Sequence, residues 1–111
     1  MNNLFDFDNK YIISRWAKAE EFRGDGKQIK PLKWEVLIKG EGNPPAHYVN
    51  NKNYSYRLTF EDGEGNVRIY ENRWDSFMIS IKNSGIKPNV WGVLKNFQDE
   101  KGHWQWEWKP L

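Results

Sequence analysis

One ten-residue signature occurs twice in this chain and restricts the fold more than any other feature. Phe60-Glu61-Asp62-Gly63-Glu64-Gly65-Asn66-Val67-Arg68-Ile69 and Phe97-Gln98-Asp99-Glu100-Lys101-Gly102-His103-Trp104-Gln105-Trp106 both read Phe-x-Asp-x-x-Gly-x-apolar-x-apolar. An Asp early in a turn accepts hydrogen bonds from the backbone just after it, and a Gly near the end supplies a positive φ. Each copy therefore predicts a β-hairpin, and two copies predict a mainly β chain. The match is read as shared turn chemistry, not as a structural repeat.

The segments around these turns alternate with period two. Tyr54–Glu61 sets Tyr54, Tyr56, Leu58 and Phe60 against Ser55, Arg57 and Thr59. Lys33–Lys39 sets Trp34, Val36 and Ile38 against Lys33, Glu35 and Lys39. Such alternation marks strands with one buried face. Val67–Asn72, Val90–Gln98 and His103–Lys109 supply three further strands. Lys10–Phe22 reads as an extended first segment that Arg23-Gly24-Asp25-Gly26-Lys27 breaks. A polar loop runs from Gly40 to Asn53. Trp74, Phe77, Met78 and Ile81 fall at i, i+3, i+4 and i+7, which predicts a helix over Arg73–Ser84 with all four on its core face. Asn72 is the expected N-cap, Gly85 the C′ residue and Pro88 the stop.

With four-residue loops, Thr59 faces Arg68 and Arg57 faces Tyr70 across the first hairpin. Ser55, Arg57, Thr59, Arg68, Tyr70 and Asn72 then share the outward face. In the second hairpin the same loop length sets Trp106 opposite Lys95. The stripe Trp104, Trp106 and Trp108 is expected to be mostly core, with one or two rings near its ends emerging. Trp16, flanked by Ser14 and Lys18, is expected to be exposed, and so is Tyr48 in the polar loop.

Composition narrows the function classes. A chain of 111 residues makes one domain, 1–111, with 1–9 expected to be a flexible tail. Aromatics at 16% argue against disorder. There is no Cys, and the two His, His47 and His103, lie far apart. A thiol nucleophile and a Cys-ligated metal are excluded, and no metal or other cofactor is expected. No phosphate-binding or dinucleotide-binding glycine pattern occurs, so the chain does not read as an enzyme. No signal segment opens it and no apolar run nears ~20 residues, which points to the cytoplasm and away from a membrane. Net charge is +2, but Arg23–Arg57 carries seven basic and three acidic residues. A polyanionic partner is permitted, not required.

Three meander strands, a helix and a terminal hairpin resemble the OB-fold, a five-stranded Greek-key barrel. The resemblance is one of pattern over Trp34–Lys109, with Gly92 suited to a close approach in the fourth strand. It implies a small barrel of five to six strands with the helix between the third and fourth. It also implies oligonucleotide or oligosaccharide binding across the second and third strands. On that basis the expected function is sequence-independent binding of single-stranded DNA, with RNA as a variant. Arg57, Arg68, Tyr70, Thr59 and Asn72 would form the face, with Lys33 and Lys39 beside it. Trp16, Tyr48, Trp91, Lys95 and Trp106 are the further candidates for stacking and phosphate contact. A protein-interaction module, an inhibitor or adaptor using exposed Trp and Tyr, is the alternative. Oligosaccharide binding on Trp platforms is the third. Frequent Asn and Lys point to an AT-rich genome, and small stand-alone proteins of this type occur in phages and mobile elements, with DNA replication the expected setting.

Overall fold

The structure is a computed structural model and describes residues 15–38 and 54–111. Five strands carry it: β1 (Lys27–Ile38), β2 (Tyr54–Asp62), β3 (Val67–Asn72), β4 (Gly92–Gln98) and β5 (Trp104–Pro110). One helix, α1 (Asp75–Asn83), follows β3 and precedes β4. The strands form a single antiparallel sheet in the order β3-β2-β1-β4-β5. No helix among the described residues is long and apolar enough to cross a membrane.

The long β1 joins the two halves of the sheet. It pairs with β4 over Lys27–Ile29 and with β2 over Ile29–Ile38. An irregularity between Pro31 and Lys33 interrupts the second ladder. Pro31 has no N–H to donate, and bulges are where a strand tolerates this. The expected first strand is corrected in its described part. Trp16 makes a single parallel bridge to Ile69, and Ala19–Phe22 is a 3₁₀ turn. Ala17 N–H donates to Ile69 O (2.7 Å), so this segment covers the outer edge of β3. Residues 10–14, like the expected tail 1–9, lie outside the described residues.

Both hairpins use the same turn, and it is one residue shorter than expected. Asp62 N–H donates to Asn66 O (2.9 Å) and Gly65 N–H to Asp62 O (3.1 Å), with Gly65 at φ 83°. Asp99, His103 and Gly102 repeat the pattern at 2.9 and 3.0 Å, with Gly102 at φ 80°. Asp62 Oδ1 accepts from the N–H groups of Glu64 and Asn66, and Asp99 Oδ1 from those of Lys101 and His103. Three loop residues, the last a Gly in the left-handed region, form the familiar bulged turn. The register moves accordingly. Leu58 faces Tyr70, Arg57 faces Glu71, and Trp106 faces Asn96.

Phe22, Ile29, Leu58, Phe60, Phe77 and Leu94 are fully buried at the centre. Phe22 meets Phe60, Tyr70 and Trp106 edge to face, with centroids 5.3–5.8 Å apart. It thus stands between β3 and β5, the two outer strands. Trp106 and Trp108 are buried and Trp104 is about half exposed, as the stripe's ends required. Gly92 makes the expected close approach. A Cβ there would lie 2.5 Å from both Lys109 O and the Trp108 ring.

The helix starts two residues later than expected. Trp74 is its N-cap residue and points outward, while Phe77 and Ile81 are buried. Asn72 still serves the helix entrance, since its Oδ1 accepts from Trp74 N–H (2.8 Å). Gly85 follows in the left-handed region at φ 69°.

Candidate nucleic-acid interface

Side chains on a strand alternate between faces, so a one-residue change of register turns a whole strand over. This happens to β3. Arg68, Tyr70 and Asn72 lie on the core side of the sheet, and Val67 and Ile69 share the outer face with Arg57, Thr59 and Glu71. The expected outward Arg68–Tyr70–Asn72 row is therefore corrected.

Each of the three has a structural partner. Arg68 is buried and forks onto both carboxylate oxygens of Glu21, with Nη2 2.9 Å from Oε2. This pairing holds Glu21 down at about 2 and pushes Arg68 up. Lys18 N–H also donates to Glu21 (2.9 Å). Tyr70 packs on Phe22, Phe77 and Trp106 at 4.9–5.3 Å. Burial pushes its hydroxyl up, and that oxygen accepts from Asn72 Nδ2 (3.0 Å).

The outer face keeps Arg57, Thr59 and Lys33 from the expected set. Its cations are neutralised in place. Arg57 Nε donates to Glu71 (2.6 Å), Lys33 lies 3.5 Å from Glu35, and Lys30 lies 3.2 Å from Glu61. Lys95 faces Glu107 across β4–β5, not Trp106. Trp106, also an expected site residue, is core. Lys39 and Tyr48 lie outside the described residues.

The surface tryptophans are the more distinctive feature. Trp16, Trp74 and Trp104 are each about half exposed (50, 53 and 44%). The Arg57 guanidinium sits 5.5 Å from the Trp16 ring centroid, and that of Arg23 sits 4.1 Å from Trp104. Arg73 lies 5.7 Å from Trp74, and Lys30 lies 5.5 Å from the partly buried Trp91. Asn96 Oδ1 accepts from Arg23 Nε (3.1 Å), which orients that guanidinium. Each of these rings therefore has a cation over it. Trp74 was missed as a surface residue because helix periodicity put it on the core side, whereas Trp104 is one of the stripe-end rings expected to emerge. Their signal was position, one at a helix entrance and one at a hairpin end.

Comparison with protein-family models, with curated proteins and with solved structures finds no match for this chain.

Proposed function

We propose that this chain is an OB-like module that binds single-stranded nucleic acid, DNA first, by stacking bases on its surface tryptophans. The strand order β3-β2-β1-β4-β5, with α1 between β3 and β4 and one long β1 shared by both halves, supports the OB-like reading. Among the described residues β3 and β5 do not pair and Arg15 and Ala17 hold the outer edge of β3, so the sheet is open, with Phe22 packed against both Tyr70 of β3 and Trp106 of β5. The observation that carries the function is the set of Trp–cation pairs, above all Trp16 with Arg57 and Trp104 with Arg23. A base stacks on such a ring, or on the guanidinium lying over it, whatever its sequence.

The test is a titration of Trp emission with oligo-dT at two salt concentrations. Emission is quenched on binding. Trp16→Ala and Trp104→Ala each weaken binding by ~1–3 kcal/mol, the range for one lost base-stacking ring. The salt dependence is shallow, a slope of about 1–3, because Arg57, Lys33 and Lys30 already hold carboxylates and little counterion is released. Absence of both quench and mobility shift at low salt rejects the reading. Full binding by the Trp16→Ala, Trp104→Ala double variant rejects these rings as the site.

A further inference from the structure

Among the described residues, one edge of the long strand β1 is used only in part. On one side β2 pairs along Ile29–Ile38, while on the other β4 reaches only Lys27–Ile29. Past that point Asn89 N–H donates to Pro31 O (2.7 Å). From Leu32 to Leu37 this edge has no backbone partner among the described residues. An open strand edge is a template for another chain, and proteins usually blunt one with charge, Pro or a covering element.

Here the edge adjoins an apolar groove of about 670 Å³. Trp34 and Val36 of β1 form one wall, and Met78, Ile81, Ile86 and Pro88 form the other. Trp34 is held in place by stacking on Tyr56 (5.8 Å) and by Phe77 (5.6 Å). Val36 is half exposed even though it lies on the core side of the strand. Lys82 and Lys87 stand at the rim, and no carboxylate among the described residues lines the groove or pairs with either. Lys33, the third lysine there, is already paired with Glu35.

We infer that this edge and groove bind an extended segment of a partner protein, with large apolar side chains at alternate positions and Asp or Glu around them. Main-chain hydrogen bonds to Leu32–Leu37 add the segment to the sheet as a strand. Every second side chain then enters the groove, and acids beyond the two ends of that apolar row meet Lys82 and Lys87, which line the same groove. A small apolar acid would use the groove and the lysines but leave the strand edge unsatisfied, so the open backbone favours a peptide. This surface is distinct from the Trp16 and Trp104 rings.

The experiment measures anisotropy of a labelled peptide in which Phe and Leu alternate with Ser and Asp stands at both ends. Two relatives of it are run in parallel, one with Lys for every Asp and one N-methylated at alternate backbone nitrogens. The Asp peptide binds saturably, and both relatives bind at least about tenfold more weakly. Val36→Asp weakens the Asp peptide by a similar factor while near-UV circular dichroism and oligo-dT binding stay unchanged. Lys82→Glu combined with Lys87→Glu reverses the preference between the Asp and Lys peptides. No binding of the Asp peptide overturns the inference, as does equal binding of the Lys peptide. Full binding of the N-methylated peptide also overturns it, because the strand edge would then be unused. A chain that is dimeric at assay concentrations, with the Leu32–Leu37 amides protected from exchange, overturns it in favour of a second copy on this edge.

Discussion

Removing the Glu21 carboxylate tests how a buried arginine is tolerated beside an aromatic core. Arg68 has only 8% of its side chain exposed, and Glu21 has 28%. Glu21→Gln keeps the size of the side chain and removes the charge. The pKa of Glu21 falls from 4.5 to about 2 in the fold, with the Arg68 hydrogen bond as the largest cause. At ~1.4 kcal/mol per pKa unit the shift corresponds to about 3 kcal/mol, and partial solvent screening trims this to about 2–3. Breaking a fully buried pair costs about 3–5 kcal/mol, so the lower figure fits a pair that is open on one side.

The pH dependence follows from the direction of the shift. A carboxyl whose pKa is depressed in the fold stabilises fully above its unfolded value and loses that contribution as pH falls. For Glu21 the window runs from about 4.5 down to about 2. Urea unfolding at pH 7 and at pH 2.5 measures it. Glu21→Gln is less stable than wild type by about 2–3 kcal/mol at pH 7, and most of the difference disappears at pH 2.5. Equal differences at the two pH values would refute the argument, as would a loss under ~0.5 kcal/mol at pH 7, the usual scatter of surface substitutions.

Three further outcomes are expected. Tyr70→Ala lowers stability by about 3–5 kcal/mol in urea unfolding, because the ring sits among Phe22, Phe77 and Trp106. Phe77→Ala costs a similar amount, whereas Trp74→Ala, at the exposed helix entrance, shifts the unfolding midpoint by less than ~1 kcal/mol. Gly92→Ala destabilises by more than ~1 kcal/mol in thermal unfolding, since its Cβ must displace the buried Trp108 ring or the Lys109 carbonyl.

From Tyr54 onward element existence and order were legible because they depend on local signals, whereas the described part of the expected first strand is a bridge and a 3₁₀ turn and β1 begins at Lys27, ahead of the expected Lys33. Alternation in Tyr54–Glu61, the helical spacing of Phe77 and Ile81, and the twin Asp-x-x-Gly turns each place their own element. The faces were less legible because they depend on an integer. Asp-x-x-Gly fixes the turn's chemistry, but a three-residue and a four-residue loop place Tyr70 on opposite sides of the sheet. Alternation alone did not settle β3, whose two phases, Val67–Ile69–Glu71 and Arg68–Tyr70–Asn72, both mix polar and apolar residues. The buried phase needs Glu21 for Arg68 and Phe22 for Tyr70. Those partners come from a segment nearly 50 residues earlier, which no local pattern connects to β3. The extent of the β1–β4 pairing was hidden for the same reason. A strand's own residues do not reveal where its second neighbour stops.

The same integer gives a last prediction. A Gly inserted after Glu64 lengthens the first loop to four residues, and the chain then has two options. It can keep the present ladder with the extra residue in the loop, or slip β3 by one and turn it over. Loop closure grows only as the logarithm of length, so the first option costs under ~1 kcal/mol apart from any distortion of the turn. The slip would turn Glu71 to the core side, opposite the buried Tyr56. It would also detach Arg68 from Glu21 and take Tyr70 out of the aromatic cluster, a loss of about 3–5 kcal/mol for that ring alone. The loop therefore absorbs the insertion, and the ladder Leu58–Tyr70 persists. Cross-strand nuclear Overhauser contacts between Leu58 and the residue equivalent to Tyr70 would remain, and the unfolding midpoint would move only slightly. Contacts from Leu58 to the residue equivalent to Ile69 would show that loop length governs the register and that the buried Arg68–Tyr70 face does not.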